Sequence, residues 1–333
     1  MLAVWRRNFW GPVSPAGGHG GATALDCGRT DGHRIPMTAP LPLREGVGPS
    51  SIWLPAGSWR TVLEFLVARF AAIDAATWTA RMERGEVQDE HGVRLAPDCA
   101  YRSGVRIYYY REAGTEAPIP FEETVLYRDD DLLVVDKPHF LPVTPAGRFL
   151  HETLLVRLKR KLRLEYLVPI HRLDRETAGV VLFSIRPESR GAYHALFQQR
   201  AVTKTYEALA GVAPALRFPL TRRSRIDAGE PFFLMQEVAG AANAETDIEL
   251  LESGSGIGRY RLTPRTGRKH QLRVHMAALG IPILNDPFYP RLLPCKGDDY
   301  TRPLQLLARR IAFTDPLTGA PRQFESSRSL SIG

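Results

Sequence analysis

Apolar residues first return at helical spacing in TVLEFLVARF (Thr61–Phe70), where Val62, Phe65, Leu66 and Phe70 share one face. A second short helix is predicted over Ala75–Arg84, and then GEVQDEHGVRLAPDCAYRSGVRIYYY offers short strand-like pieces broken at HG and AP turns. Further on, LLVVDKP (Leu132–Pro138) is a continuous apolar run stopped by proline, as expected of a buried strand. HETLLVRLKRKL (His151–Leu162) is amphipathic: Leu154, Leu155, Leu158 and Leu162 turn inward, while Arg157, Arg160 and Arg163 lie off that stripe. GVVLFSI (Gly179–Ile185), TYEALAGV (Thr205–Val212) and RYRLTP (Arg259–Pro264) read as strands. RGAYHALFQQ (Arg190–Gln199) and RKHQLRVHMAAL (Arg268–Leu279) read as helices, the latter with Leu272, Met276 and Leu279 inward. Helices and strands mix without strict alternation, and no segment repeats, which predicts an α+β fold.

The same pattern divides the chain. Residues 1–50 are rich in Gly, Pro and Ala and lack periodicity, so they are expected to be a disordered tail, with Met37 a possible true start. Residues 51–112 form a small αα-hairpin module with short strands, 113–123 an acidic, proline-containing linker, and 124–333 the main domain.

Composition narrows the class. The chain has 333 residues, 44% hydrophobic and 24% charged, as in an ordinary globular protein. Lys and Arg outnumber Asp and Glu by 44 to 36, so a polyanion is the favoured partner. Cys27, Cys99 and Cys295 form no CxxC pair, which argues against a disulfide framework or structural zinc and for a reducing, cytoplasmic setting. No run approaches the ~20 apolar residues of a membrane span. Neither a GxxxxGK[ST] loop nor a dinucleotide fingerprint is present, so no cofactor is expected.

Three stretches carry candidate chemistry. PIHRLDRETAGVVLFS (Pro169–Ser184) sets Asp174 between Arg172 and Arg175 just before a buried strand. Alone, Asp174 reads equally as a turn cap or a surface partner of Arg175. RAVTKTYEALA (Arg200–Ala210) puts Lys204 and Tyr206 on one face of a strand; alone, Tyr206 is an ordinary half-buried aromatic. TPRTGRKHQLRVHMAALGIPILNDPFY (Thr263–Tyr289) gathers Arg268, Lys269, His270, Gln271, Arg273 and His275 at a helix start, where a polyanion would meet N–H groups, dipole and cations together. The bland alternative is a solvated charged face. His270 and His275 are five apart with no Glu between them, so no metal site is expected.

HRLDRETAG, KTYEAL and TGRKHQLRVH, in this order and at these separations, make residues 120–326 resemble the RluA type of pseudouridine synthases, which modify ribosomal or transfer RNA. LLVVDKP, ILNDPFY and the tail LARRIAFTDPLTGAPRQFES resemble that family's flanking pieces. The resemblance implies a mainly antiparallel, bent sheet flanked by helices and loops. It implies Asp174 as catalytic aspartate, Arg273 as its pairing arginine, and Tyr206 as the aromatic packed on a flipped uracil. Arg172 would fill the RNA stack after the nucleotide has left. Apart from the resemblance, Arg175, Lys204, Arg268, Lys269, His270 and Gln271 are candidate RNA contacts as donors and cations near these stretches. Two positions depart from the family: Thr177-Ala178-Gly179 where TSG is usual, and Gln305–Ala308 (QLLA) where many members carry LHA. The first module resembles, weakly, the small RNA-binding domain named after a small-subunit ribosomal protein; its second helix, TWTARMERGEV, carries fewer basic residues than usual.

The implied reaction breaks the glycosidic bond, turns the uracil and rejoins it through carbon 5, with no redox change and no moving phosphate. It needs one ionised carboxylate near the sugar. Whether that group attacks the anomeric carbon or the base, or takes the 2′ proton, stays open. Asp174 would be kept ionised by Arg273, and extrusion of the uridine would consume a few kcal/mol. A structured RNA is the expected partner, met by a monomer. Rival readings are a non-catalytic RNA-binding protein, for which Asp174 has no use, and a glycosidase-like hydrolase, which requires a second carboxylate about 5–9 Å away.

Overall fold

The computed structural model describes residues 39–112, 116–294 and 299–331. Met37, Cys27 and Cys295 lie outside the described residues; Cys99 is a free thiol. The chain divides into two compact units between Ala113 and Gly114.

The first unit comprises β1 (Ser50–Trp53), α1 (Val62–Arg69), α2 (Ala75–Glu83), β2 (Val87–Asp89) and β3 (Arg106–Tyr109). Both helices start where a side chain can accept an orphan N–H: Thr61 takes that of Glu64, and Asp74 that of Thr77. Val62, Phe65 and Leu66 of α1 meet Trp78 and Met82 of α2 over Val87, Ile107 and Tyr109. The expected helical hairpin and strands are present, and β1 adds to them, with β3 running antiparallel between β1 and β2. Of the stretch up to residue 50 expected to be a disordered tail, residues 1–38 lie outside the described residues and residues 39–50 are ordered. Leu41 and Val47 are buried, the Tyr110 hydroxyl donates to the Pro42 carbonyl at 2.8 Å, and Arg44 lies 3.7 Å over the Tyr110 ring while pairing with Glu86. A few apolar contacts and a ring–cation stack order a segment that has no periodicity to advertise it.

The second unit runs β4 (Thr124–Arg128), β5 (Leu132–Lys137), α3 (Leu154–Leu162), β6 (Val168–Pro169), β7 (Ala178–Ser184), α4 (Pro187–Gln198), β8 (Val202–Gly211), β9 (Leu220–Ala228), β10 (Met235–Val238), β11 (Ala244–Gly254), β12 (Ile257–Pro264), α5 (Gln271–Ala278), β13 (Leu306–Thr314) and β14 (Pro321–Glu325). They form one eleven-stranded sheet in the order β10-β9-β11-β12-β8-β13-β7-β5-β4, with β14 on β13 and β6 on β7. The β7–β13 contact is parallel and the other pairings are antiparallel, so the α+β expectation holds.

β5 is buried throughout because both its faces are covered. Leu133 and Val135 meet Leu154 and Leu158 of α3; Leu132 and Val134 meet Tyr193 of α4. The parallel contact depends on Gly179. Its φ is +114°, and a Cβ there would lie 2.2 Å from the Ala308 carbonyl oxygen. On the other half of the sheet, Leu272 and Met276 of α5 pack on Ala208, Ile248, Tyr260 and Leu262.

Three boundaries differ from expectation. α4 begins at Pro187 rather than Arg190, since proline suits the first helical turn. α5 begins at Gln271 rather than Arg268, after His270 in a left-handed conformation (φ 55°). The stretch expected as a linker is, from Glu116 on, fastened to the second unit. Glu116 accepts the N–H groups of Leu150, His151 and Glu152, Ile119 is 2% exposed, and Glu122 and Glu123 pair with Lys161. Two basic residues of α3 are thereby engaged: Lys161 by these acids, and Arg157, which turns back to the carbonyls of Ile119 and Phe121 and to Glu152.

The carboxyl-terminal run returns to β5. The fully buried Asp136 carboxylate accepts from the Ser326 hydroxyl at 2.8 Å and from the Ser327 N–H and hydroxyl at 2.9 and 3.0 Å. Leu330 is buried beside Ala178, Leu209 and Leu307.

Candidate active site

Asp174 sits on the loop between β6 and β7, and the loop is pinned from three sides. The Ile170 N–H donates to the Leu182 carbonyl at 2.9 Å, and the Leu182 N–H donates to His171 Nε2 at 3.2 Å. His171 must therefore be neutral, in keeping with burial that pulls it down to about 3, and it stacks on Phe197 at 4.9 Å. Lys137 Nζ, at the end of β5, donates to the carbonyls of Pro138 (3.0 Å), Leu141 (2.8 Å) and Arg175 (3.1 Å). One buried ammonium thus joins the turn after β5 to the Asp174 loop. The Asp174 side chain is left 28% exposed.

Facing it is Arg273 of α5, 1% exposed. Its Nη1 donates to Asp174 Oδ2 at 3.2 Å, while Nε and Nη2 form a fork on Asp286 at 2.8 and 2.7 Å. Asp286 also accepts the N–H groups of Phe288 and Tyr289. This carboxylate is consumed in holding Arg273, so it supplies no second free acid of the kind a glycosidase needs. Phe288 lies 4.6 Å beneath the guanidinium. Burial opposes the Asp174 charge, but His270 and Arg273 outweigh it and hold the carboxyl below its usual value. Burial itself pulls His270 down to about 4, so at neutral pH the lasting positive neighbour is Arg273.

Tyr206 of β8 is half-buried, and its phenol is pushed up by burial and then by Asp174, which places the ring within electrostatic reach of that carboxylate. Lys204, two residues before, donates to the Thr266 carbonyl at 3.4 Å, at the turn that precedes α5. Arg172 is exposed and has no partner among the described residues. Lys269 is exposed and feels both Asp174 and Arg172. Arg268 is exposed, with its Nε on the Asn243 carbonyl at 3.3 Å.

Three expected RNA contacts are instead internal. Gln271 is 4% exposed, and its amide is used up: Oε1 accepts from Thr266 Oγ1 and the Arg268 N–H, and Nε2 donates to the Glu245 carbonyl and Thr246 Oγ1. His270 is 8% exposed, with Nδ1 2.9 Å from the Tyr289 hydroxyl and Nε2 3.8 Å from Asp174 Oδ1. Arg175 is taken by Glu176 at 3.1 Å and lies over Phe149 and Phe140. For His270 and Gln271 the physical reason is that α5 is enclosed: all of Gln271–Met276 is buried, so the helix read as a basic face is a buried polar hub, whereas Arg175, on the β6–β7 loop and only half-buried, is occupied by its neighbouring acid and rings.

The geometry is thus one partly open carboxylate, one guanidinium locked in place and a protonated tyrosine, bordered by exposed cations. A family model for RNA pseudouridylate synthase matches residues 131–278, which include all three groups. The chain is 32% identical over 213 residues to the dual-specificity RNA pseudouridine synthase RluA of Pasteurella multocida, spanning 60% of this chain and 90% of that one. The chain belongs to the RNA pseudouridylate synthase family.

As a member it isomerises uridine to pseudouridine in RNA. It is also 32% identical over 221 residues to ribosomal large subunit pseudouridine synthase D of Nitrosomonas europaea, covering 61% of each chain. Its fold is shared with human RNA pseudouridylate synthase domain containing 1, at a TM-score of 0.51 and 24% identity over 65% of this chain and 86% of that one. Among the described residues of this synthase there is no metal-ligating cluster, and no helix is long and apolar enough to cross a membrane.

The sequence reading missed Asp286, Lys137 and His171. For Asp286 a cue existed: a buried arginine needs an acid, and this is the first acidic residue after Arg273.

Proposed function

We propose that Asp174 is the carboxylate that carries the isomerisation, and that the RNA is ribosomal or transfer RNA. The observation that supports this most is the 3.2 Å contact between Arg273 Nη1 and Asp174 Oδ2, with the Asp174 side chain still open to a substrate. Arg273 keeps the carboxylate charged and aimed, while Asp286 keeps Arg273 from collapsing onto it. The second oxygen of Asp174 then acts on the extruded nucleoside. Tyr206 packs on the uracil as a neutral phenol. Arg172 enters the vacated stack and bonds phosphate, and Lys204, Arg268 and Lys269 hold the backbone. All these groups come from one chain, which is sufficient as a monomer.

The test is Asp174→Asn, assayed for pseudouridine by mass spectrometry in ribosomal and transfer RNA from cells lacking the gene and complemented with either form. The wild type should restore specific pseudouridines. The variant should bind RNA and restore none. An Asp174→Asn enzyme with wild-type yield would end the assignment, and restoration in some other RNA class would end the choice of substrate.

A further inference from the structure

In the first unit, strand alternation sorts the three-stranded sheet into two unlike faces. Ile52, Val87, Ile107 and Tyr109 turn toward the two helices. The cross-strand pairs Ser51↔Tyr108 and Trp53↔Arg106, with Gln88↔Tyr108 on the other side, put Ser51, Trp53, Gln88, Arg106 and Tyr108 on the opposite face. Trp53 is 58% exposed, an unusual position for an indole. The Arg106 guanidinium lies 5.7 Å from the Trp53 ring centre and 5.2 Å from that of Tyr108, held flat by two hydrogen bonds to Ser51 Oγ at 3.2 and 2.9 Å.

Strand alternation also puts Glu86 on this side, just before β2, where Arg44 and Arg84 take its carboxylate. Arg106 has no carboxylate partner among the described residues, and neither does the exposed Arg94, which bridges to Gln88. Asp89 turns its carboxylate into its own loop, accepting the N–H groups of His91 and Val93. Two aromatic rings with an arginine plane between them, on a flat antiparallel sheet with an unpaired cation beside it, fit unpaired nucleobases and their phosphates. A protein partner of the usual kind would want a larger apolar patch than one indole and one phenol.

We infer that this face is a second RNA site, on which single-stranded nucleotides of the substrate stack against Trp53, Arg106 and Tyr108. It rests on the RNA-modifying activity above but uses none of the residues assigned to the reaction. The site holds RNA by ring stacking, which tolerates many sequences, rather than by reading base edges.

The experiment uses the full chain and a fluorescently labelled oligoadenylate of about ten nucleotides, within the span such surfaces cover, followed by anisotropy. Trp53→Ala should weaken binding about tenfold, the scale of one lost base–aromatic stack. Trp53→Phe should recover part of it, and the dependence on salt should be unchanged because no charge is removed. Because Trp53 is outside the apolar core, its loss should leave the melting temperature unchanged. Isomerisation of a saturating RNA substrate should keep its kcat while KM rises. Wild-type affinity in Trp53→Ala, or an equal loss on double-stranded RNA, overturns the stacking site. Asp174→Asn run alongside separates the two ideas: it should bind the oligoadenylate normally yet make no pseudouridine, and if it stays active the catalytic reading fails whatever Trp53 does.

Discussion

At the scale of single residues the site turns on how one guanidinium is shared. Arg273 gives two donors to Asp286 and one to Asp174, and the asymmetry has a purpose. A buried arginine with a single carboxylate neighbour would neutralise that neighbour; here the fork belongs to Asp286 and only an edge is lent to Asp174. Asp286→Ala removes the fork and leaves the buried cation with only its edge contact to Asp174. It should lower stability by about 3–5 kcal/mol in urea titration, with loss of activity under conditions where the variant stays folded. Tyr206 gives a second prediction. Burial and the Asp174 charge both push its phenol up, so it stays protonated through the physiological range. The rate should show no tenfold rise per pH unit between pH 7 and 9; such a rise would mean the phenolate is the working form.

At the scale of elements, the apolar runs were legible and the polar strands were not. β5 and β7 are buried on both faces and announce themselves as LLVVDK and AGVVLFS. β9 and β11 were not anticipated because their outer positions are ion pairs. Ala244, Thr246 and Ile248 point into the core, while Glu245, Asp247 and Glu249 reach Arg223, Arg265 and Arg261 on the neighbouring strands and turn. An alternation of small or apolar residues with acids reads as a solvated segment until its cross-strand partners are known. The same limit applied to α5, whose donors face inward. Alone, Asp174 and Tyr206 admitted bland readings; what singled them out with Arg273 was the resemblance carried jointly by HRLDRETAG, KTYEAL and TGRKHQLRVH, and the structure brings Asp174 and Arg273 to 3.2 Å. The direction of Gln271 was not legible, since sequence gives a residue's neighbours in the chain and not the cover over its helix. The parallel β7–β13 contact makes its own prediction. Gly179→Ala must displace the Ala308 carbonyl and adopt a left-handed φ, so it should cost more than about 2 kcal/mol in urea unfolding. Ala178, on the neighbouring position, is fully buried, which explains why alanine serves where the family carries serine.

At the scale of the whole molecule, the net charge of +8 describes the partner less directly than it first suggests, since many arginines are spent on internal pairs. The cations left outward, such as Arg172 and Lys269, do more than the sum does. The histidines set a molecule-wide pH response. Burial pulls His139, His270 and His275 to about 4 and His171 to about 3, from 6.5 when free. A folded value below the free one favours the fold above pH 6.5, and that advantage is lost as pH falls toward 4, because the unfolded chain binds protons the native one refuses. Each histidine contributes up to about 1.4 kcal/mol per pH unit across that window. The melting temperature should therefore fall steeply between pH 6.5 and 4.5, and a flat profile would show that these rings are solvated.

The seam between β5 and the last residues also bears on how the protein can be handled. A stop codon or a fusion junction placed straight after Glu325 would strip the Asp136 carboxylate of its serine donors and uncover the pocket that Leu330 plugs. Such trimming would be felt next door at Lys137, and through it in the loop that carries Asp174.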